Sequence, residues 1–382
     1  MSGWSRRSLL AGAAGAVLAR PALALEPPST VSQPPRDFAL GVPAPPLFPD
    51  PDVLSVDPGF DRLRPPNSTI RRLWTGAQFG EGPAWNAQGR YLVWSDIPAN
   101  RQLRWLEDDG RVSVFRSPSG NSNGTCFDFA GRQISCEQLH RRVVRYELDG
   151  SATVLADAYD GKRLNSPNDV VAHPDGSVWF TDPPYGTQLF EGMPDAGGRL
   201  NPRLGQPPDI GEARRELPTN VYRIDPDGRV ELVVAEADLP DPNGLCFSPD
   251  YRRLHVVSTA RGPGDAGPGG KRDIHVFDVV DGRRLANQRL FTDCMVDGVK
   301  CGPDGVRCDV DGNVWASSNA NHTVGYSGVT VWSPDGRLIG RIRLPEVCSN
   351  LCFGGPKRNR LFMVATSSLY AIELNTQGAA PG

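Results

Sequence analysis

One interval constrains this chain more than any other: an oxygen-bearing side chain followed, seven residues on, by a turn position. Asn168 precedes Asp175-Gly176 by that interval, Glu81 precedes Gln88-Gly89, and Asn123 precedes Ala130-Gly131. Asn243 stands in the same relation to Asp250, Asp304 to Asp311-Gly312, and Asn350 to Lys357. Each turn then leads into apolar β-formers: Tyr91–Ser95, Ile134–Glu137, Val178–Thr181, Leu254–Ser258, Val314–Ser317 and Leu361–Ala365. From Ser166 to Asp182 the pattern reads as strand, tight turn and strand. A unit of this kind recurring roughly every 40–45 residues implies a radial or stacked array rather than one mixed core. Four-stranded units of that length are propeller blades. The predicted fold is therefore all-β, a six-bladed β-propeller with four-stranded antiparallel blades around a central channel. The first strand of each blade lines that channel, so Glu81, Asn123, Asn168, Asn243, Asp304 and Asn350 are expected to meet in one ring.

The 382 residues would allow several domains, but blades share neighbours and a propeller closes as a single unit. Gly (42) and Pro (36) are abundant, as many turns require, and no long helical periodicity competes with the strand pattern. Ser5-Arg6-Arg7-Ser8-Leu9-Leu10, a small apolar run to Leu18 and Ala22-Leu23-Ala24 predict a signal peptide over 1–24, of the twin-arginine type, and a periplasmic destination. Residues 25–66 read as a proline-rich, extended leader, and 67–376 as the propeller. Blade three is interrupted by a Pro/Gly-rich, charged insertion at about 186–219, expected to form a lid or rim loop. The last blade needs one more strand, which Ile70–Thr75 can supply by closing the ring from the N-terminal side.

The formal net charge of −3, with Lys and Arg scattered, gives no support for a basic patch that would bind nucleic acid or a membrane surface. Past the signal segment no apolar run reaches membrane-spanning length. The eight cysteines contain no C-x-x-C pair and no Cys/His zinc spacing. Cys126 with Cys136, Cys294 with Cys301, and Cys348 with Cys352 or Cys308 are candidate bridges in an exported protein, beside the alternative of buried thiols.

Within the ring, Glu81, Asn168, Asn243 and Asp304 bring two carboxylates and two amide oxygens to one axis. Oxygen-only ligands carrying −2 suit a hard divalent cation, calcium foremost, with magnesium, manganese or zinc as alternatives. Without a cation, one of two converging carboxylates would stay protonated. Asn-Gly and Asp-Gly pairs are also ordinary loop formers, but turn chemistry alone does not demand a seven-residue register.

Glu81-Gly82-Pro83-Ala84-Trp85, Ser166-Pro167-Asn168-Asp169-Val170-Val171, Pro242-Asn243-Gly244-Leu245-Cys246-Phe247-Ser248 and Pro303-Asp304-Gly305-Val306 resemble, in order, the motifs of the SMP-30/gluconolactonase family. Thr181-Asp182-Pro183-Pro184-Tyr185-Gly186 is similar to its bacterial gluconolactonase branch, and the resemblance covers about residues 70–375. Where the family's animal members carry an arginine two residues before the first conserved Asn, this chain has Ser166. The resemblance implies one catalytic divalent metal held by Glu81, Asn168, Asn243 and Asp304, with Asp304 also the acid/base, and hydrolysis of a small-molecule sugar lactone such as glucono-1,5-lactone. Asn123, Asn350, His140, Asp182, Tyr185 and His322 are candidates to line the substrate pocket. Two other readings are a phosphotriesterase or aryl-ester hydrolase on the same metal, and a non-catalytic binding propeller. A serine hydrolase is disfavoured because the five histidines show no triad context.

Overall fold

The computed structural model describes residues 48–187, 215–259 and 270–380. Six antiparallel sheets follow one another around an axis. Their inner strands are Gly80–Asn86, Ser122–Phe127, Val170–Ala172, Pro242–Phe247, Val306–Cys308 and Cys348–Gly354. Each turns back into a second strand at the expected place: Tyr91–Asp96, Gln133–Glu137, Val178–Asp182, Arg253–Ser258, Val314–Ser318 and Arg360–Ala365. These second strands are buried on both faces, between neighbouring blades, which is why they read as continuous apolar runs rather than as an alternating pattern. The sixth blade takes its outer strand, Arg71–Thr75, from the start of the ring, where it pairs antiparallel with Ser368–Glu373. This junction leaves no open sheet edge between the first and last blades.

The leader enters the fold earlier than composition suggested. Val53–Ser55 adds a fifth strand to the fifth blade by pairing with Leu338–Arg343. A short helix, Pro58–Asp61, follows, capped by Asp57 Oδ1, which accepts from Gly59 N at 2.8 Å. Its Phe60 is fully buried over Gly340 and lies 5.9 Å from Trp315 between ring centroids. A Cβ at Gly340 would come within 2.4 Å of the Phe60 ring, so the glycine is what admits the aromatic side chain. Proline-rich composition hid this, because one anchoring aromatic among prolines leaves no periodic signal. Phe60→Ala is expected to cost about 3–5 kcal/mol in urea denaturation. A loss under about 1 kcal/mol would mean that the leader merely lies on the surface.

The signal segment and the first part of the leader lie outside the described residues, as do 188–214 of the blade-three insertion and 260–269 of blade four. Among the described residues no helix is long and apolar enough to cross a membrane. All eight cysteines are buried free thiols, so none of the candidate bridges is present. The register explains the first pair: Cys126 lies opposite Ile134, not Cys136.

Candidate active site: a ring of oxygens at one mouth of the channel

The six predicted residues stand at or just before the starts of their blades' inner strands, and the structure brings them together in sequence around the axis. Glu81 and Asn350 are joined directly, Asn350 Nδ2 donating to Glu81 Oε2 at 3.0 Å. Asn123 adjoins Asn168 where Gly124 N donates to the Asn168 carbonyl at 2.7 Å. Asn243 adjoins Asp304 where Gly244 N donates to the Asp304 carbonyl at 3.0 Å. Asn350 adjoins Asp304 where Gly305 N donates to the Ser349 carbonyl at 2.9 Å. Glu81, Asn123, Asn168, Asn243 and Asn350 are buried, and Asp304 is partly open.

The glycines that follow four of the ring residues make this crowding possible. A Cβ on Gly82, whose φ is +54°, would sit 2.0 Å from the Asn123 carbonyl oxygen, and one on Gly244 would sit 2.1 Å from that of Asp304. These Glu-Gly, Asn-Gly and Asp-Gly pairs are thus not turns. They are the points where neighbouring inner strands touch.

A second layer of hydroxyls, which sequence reasoning did not single out, fixes the ring's backbone. Ser95 Oγ donates to the Asn123 carbonyl at 2.8 Å, and Ser317 Oγ accepts from Asp304 N at 2.9 Å. Thr181 Oγ1 accepts from Asp169 N at 3.1 Å, and Ser349 Oγ contacts the carbonyls of Gly80 and Val364. Three of these hydroxyls end second strands, as Trp94-Ser95-Asp96, Phe180-Thr181-Asp182 and Ala316-Ser317-Ser318. That recurring Ser/Thr after the apolar run was the available signal. Beneath the ring, Asp169 and Arg307 form a buried ion pair at 3.4 Å, with Arg307 Nη1 also donating to the Val306 carbonyl at 2.7 Å.

Electrostatics single out Glu81. Burial pushes its carboxyl well above the ordinary range, and the negative charge of Asp304 pushes it further, against the hydrogen bonds from Asn350 and Gly82 N. The Asp304 carboxylate therefore stands close enough to the Glu81 carboxyl to disturb its ionisation. Asn123 Oδ1 is buried there without a hydrogen-bond partner. Mutually repelling carboxylates, carboxamides beside them and an unsatisfied amide oxygen are the donor set that a hard divalent cation takes. The residues present fit such an ion.

The remaining candidates are placed differently. Tyr185 is buried in a short 3-10 turn, Tyr185–Thr187, held close to Asn168: Gly186 N donates to Ser166 Oγ at 2.9 Å, and Ser166 Oγ donates to the Pro183 carbonyl at 2.7 Å. Ser166 is thus the anchor of the segment beside the ring. His140 is exposed, its Nε2 4.0 Å from Glu137 Oε2, and His322 is exposed on another loop. Asp182 is turned into blade three. Its Oδ2 accepts from Asn165 N at 2.7 Å, just as Asp96 Oδ1 accepts from Gln78 N at 2.9 Å in blade one, so this carboxyl braces the linker ahead of the inner strand.

Burial raises Asp182 to about 7. Its folded-state value thus exceeds the unfolded one, so its contribution to stability is full in acid and fades as pH rises through about 7. Asp182→Asn keeps an acceptor for Asn165 N and is expected to abolish that part of the pH dependence. The variant should gain on the order of 1–3 kcal/mol over the parent at pH 8 and nothing at pH 4, read from denaturation curves at the two pH values.

A closed six-bladed propeller with a ring of carboxylate and carboxamide oxygens at one mouth of its channel is the class that fold and site define together. The chain belongs, within that class, to the SMP-30/gluconolactonase/LRE-like family, whose model matches residues 79–367. It is 31% identical to a gluconolactonase of Zymomonas mobilis over 85% of this chain and 87% of that protein. It is 26% identical to a pentonolactonase of Haloferax volcanii over 78% of this chain and 84% of that protein. Among solved structures, a gluconolactonase of Xanthomonas campestris superposes with a TM-score of 0.68 at 32% identity, covering 87% of this chain and 98% of that one.

Proposed function

We propose that this protein is a lactonase that opens sugar lactones at the oxygen ring, with Glu81, Asn168, Asn243 and Asp304 holding one divalent cation. The observation that carries the reading is the buried Glu81 carboxyl, hydrogen-bonded by Asn350 and raised further by the negative charge of Asp304 close by. Membership of the family and the likeness to gluconolactonases and a pentonolactonase support lactones as the substrate class. Export to the periplasm by the twin-arginine route belongs to the same proposal, on the strength of Ser5-Arg6-Arg7-Ser8-Leu9-Leu10 and Ala22-Leu23-Ala24.

A lactone carbonyl resists water at neutral pH, so the site must both activate water and stabilise the charge that forms on oxygen. A divalent cation, when bound, supplies the Lewis acidity for that charge. Asp304, the ring carboxylate most open to solvent, takes a proton from the attacking water as the new C–O bond forms. It returns that proton to the ring oxygen as the ring C–O bond breaks, so that one water is consumed and one hydroxy acid released. Asn123 Oδ1 is available to accept from a substrate hydroxyl. Tyr185, buried beside the anchored Ser166 segment, is assigned to the substrate's sugar face in this proposal.

The test is a panel of aldono-1,4- and 1,5-lactones, with an organophosphate triester and an aryl ester alongside, each assayed before and after exhaustive chelation and after adding calcium, magnesium, manganese or zinc. Lactone opening that vanishes on chelation and returns with a divalent ion is expected. Undiminished turnover by the chelated protein, or preferential cleavage of the triester or aryl ester, would contradict the reading.

A further inference from the structure

Three side chains unconnected with the oxygen ring converge deeper in the molecule. Cys246 lies on the inner strand of blade four, His255 is its direct cross-strand partner on the second strand, and Cys308 ends the inner strand of blade five. All three are buried, at 3%, 3% and 4% exposure. Cys246 Sγ and Cys308 Sγ are 3.7 Å apart, and Cys308 Sγ is 3.9 Å from His255 Nδ1. One ligand atom from each of the three residues falls within 4.8 Å of the other two. Among the described residues this is the one group of three His, Cys, Asp or Glu side chains that meets so closely.

The spacing is informative. Sulfurs bound to one tetrahedral zinc at about 2.3 Å stand about 3.8 Å apart, and a sulfur and an imidazole nitrogen on the same ion about 3.6 Å apart. A disulfide requires about 2.0 Å between sulfurs, which the 3.7 Å separation does not meet. Thiols that serve only as small hydrophobic fillers have no need of a buried imidazole beside them, and the other six cysteines are in no such cluster.

We infer that Cys246, His255 and Cys308 form a second metal site, specific for a thiophilic divalent ion of the zinc class, that staples blade four to blade five. Binding releases the two thiol protons, and the resulting pair of thiolates neutralises the ion's charge. The neighbouring Arg307 keeps its own partner in Asp169. A small cavity of about 40 Å³ borders both sulfurs and has room for a water as the fourth ligand. The C-terminal segment crosses here, Ala379 N donating to the Cys308 carbonyl at 3.0 Å. Cys246 follows Asn243 by three residues, so the site lies about 10 Å along the strand from the oxygen ring and takes a different kind of ion.

The experiment uses cobalt(II) as probe on the reduced, chelator-stripped full chain. One equivalent should give the strong visible bands of tetrahedral cobalt together with a thiolate-to-cobalt charge-transfer band, both abolished by adding zinc. Cys246→Ser and Cys308→Ser, each near-isosteric, should lose the charge-transfer band, whereas Glu81→Gln and the control Cys294→Ser should keep it. No charge-transfer band in the unaltered chain overturns the proposal, whether or not the serine variants fold. So does a band that survives both serine substitutions, or peptide mapping that finds Cys246 and Cys308 joined as a disulfide in the exported protein. Lactone turnover plays no part in the readout, so failure of the enzymatic reading leaves this test unaffected.

Discussion

Asp304→Ala is expected to lower kcat/KM for lactone opening by about 10³-fold or more, since in the proposed mechanism it removes the proton-transfer group and a charged metal ligand together. The same variant should be no less stable than the parent when both are stripped of metal. The backbone at this position is held without the side chain, by Ser317 Oγ at the amide and by Gly244 N at the carbonyl. Removing the Asp304 charge also relieves Glu81 of a neighbour that raises its carboxyl. Activity and stability thus move in opposite directions, which separates loss of chemistry from loss of fold. Thermal unfolding in the presence of chelator measures one and initial rates with added calcium measure the other. Activity within about tenfold of the parent would remove Asp304 from the mechanism.

The second large effect concerns the pair below the ring. Arg307 and Asp169 are buried together, their side chains 11% and 1% exposed. Arg307→Met leaves Asp169 charged and enclosed, and Asp169 already raises the Glu81 carboxyl. Breaking such a pair from one side typically costs about 3–5 kcal/mol, because the remaining charge keeps its desolvation penalty without its partner. The double variant Arg307→Met/Asp169→Asn should recover most of that loss. Urea denaturation of the two single variants and the double variant completes a cycle whose coupling energy should exceed about 2 kcal/mol. Additive single effects would show that the two groups ignore each other.

The blade count, the six second strands, the closing strand near residues 70–75 and the placing of the six polar residues at the inner strands were all readable from the chain. The reason lies in the repeat: a constant offset between a polar side chain and a turn can be seen without knowing which strands pair. What escaped was information spread between blades. Glu81-Gly82 and Asn243-Gly244 look like turns until Asn123 and Asp304 of the neighbouring blades are in view. Asp169 and Arg307 stand 138 positions apart, and no local pattern joins them. The Cys246, His255 and Cys308 cluster escaped a search for linear zinc spacing for the same reason, since a propeller brings together strands remote in sequence. Asp182 misled in the opposite way. It sits within a family-like motif, yet its carboxyl braces Asn165 as Asp96 braces Gln78.

Calcium binding to the chelator-stripped chain, followed by isothermal titration, tests the central claim most directly, because the thiol-lined cluster has little affinity for so hard an ion. The parent is expected to take up one equivalent, and Glu81→Gln combined with Asp304→Asn none, with both proteins folded by circular dichroism. Uptake of one equivalent by the double variant, or none by the parent, would contradict a cation held between Glu81 and Asp304.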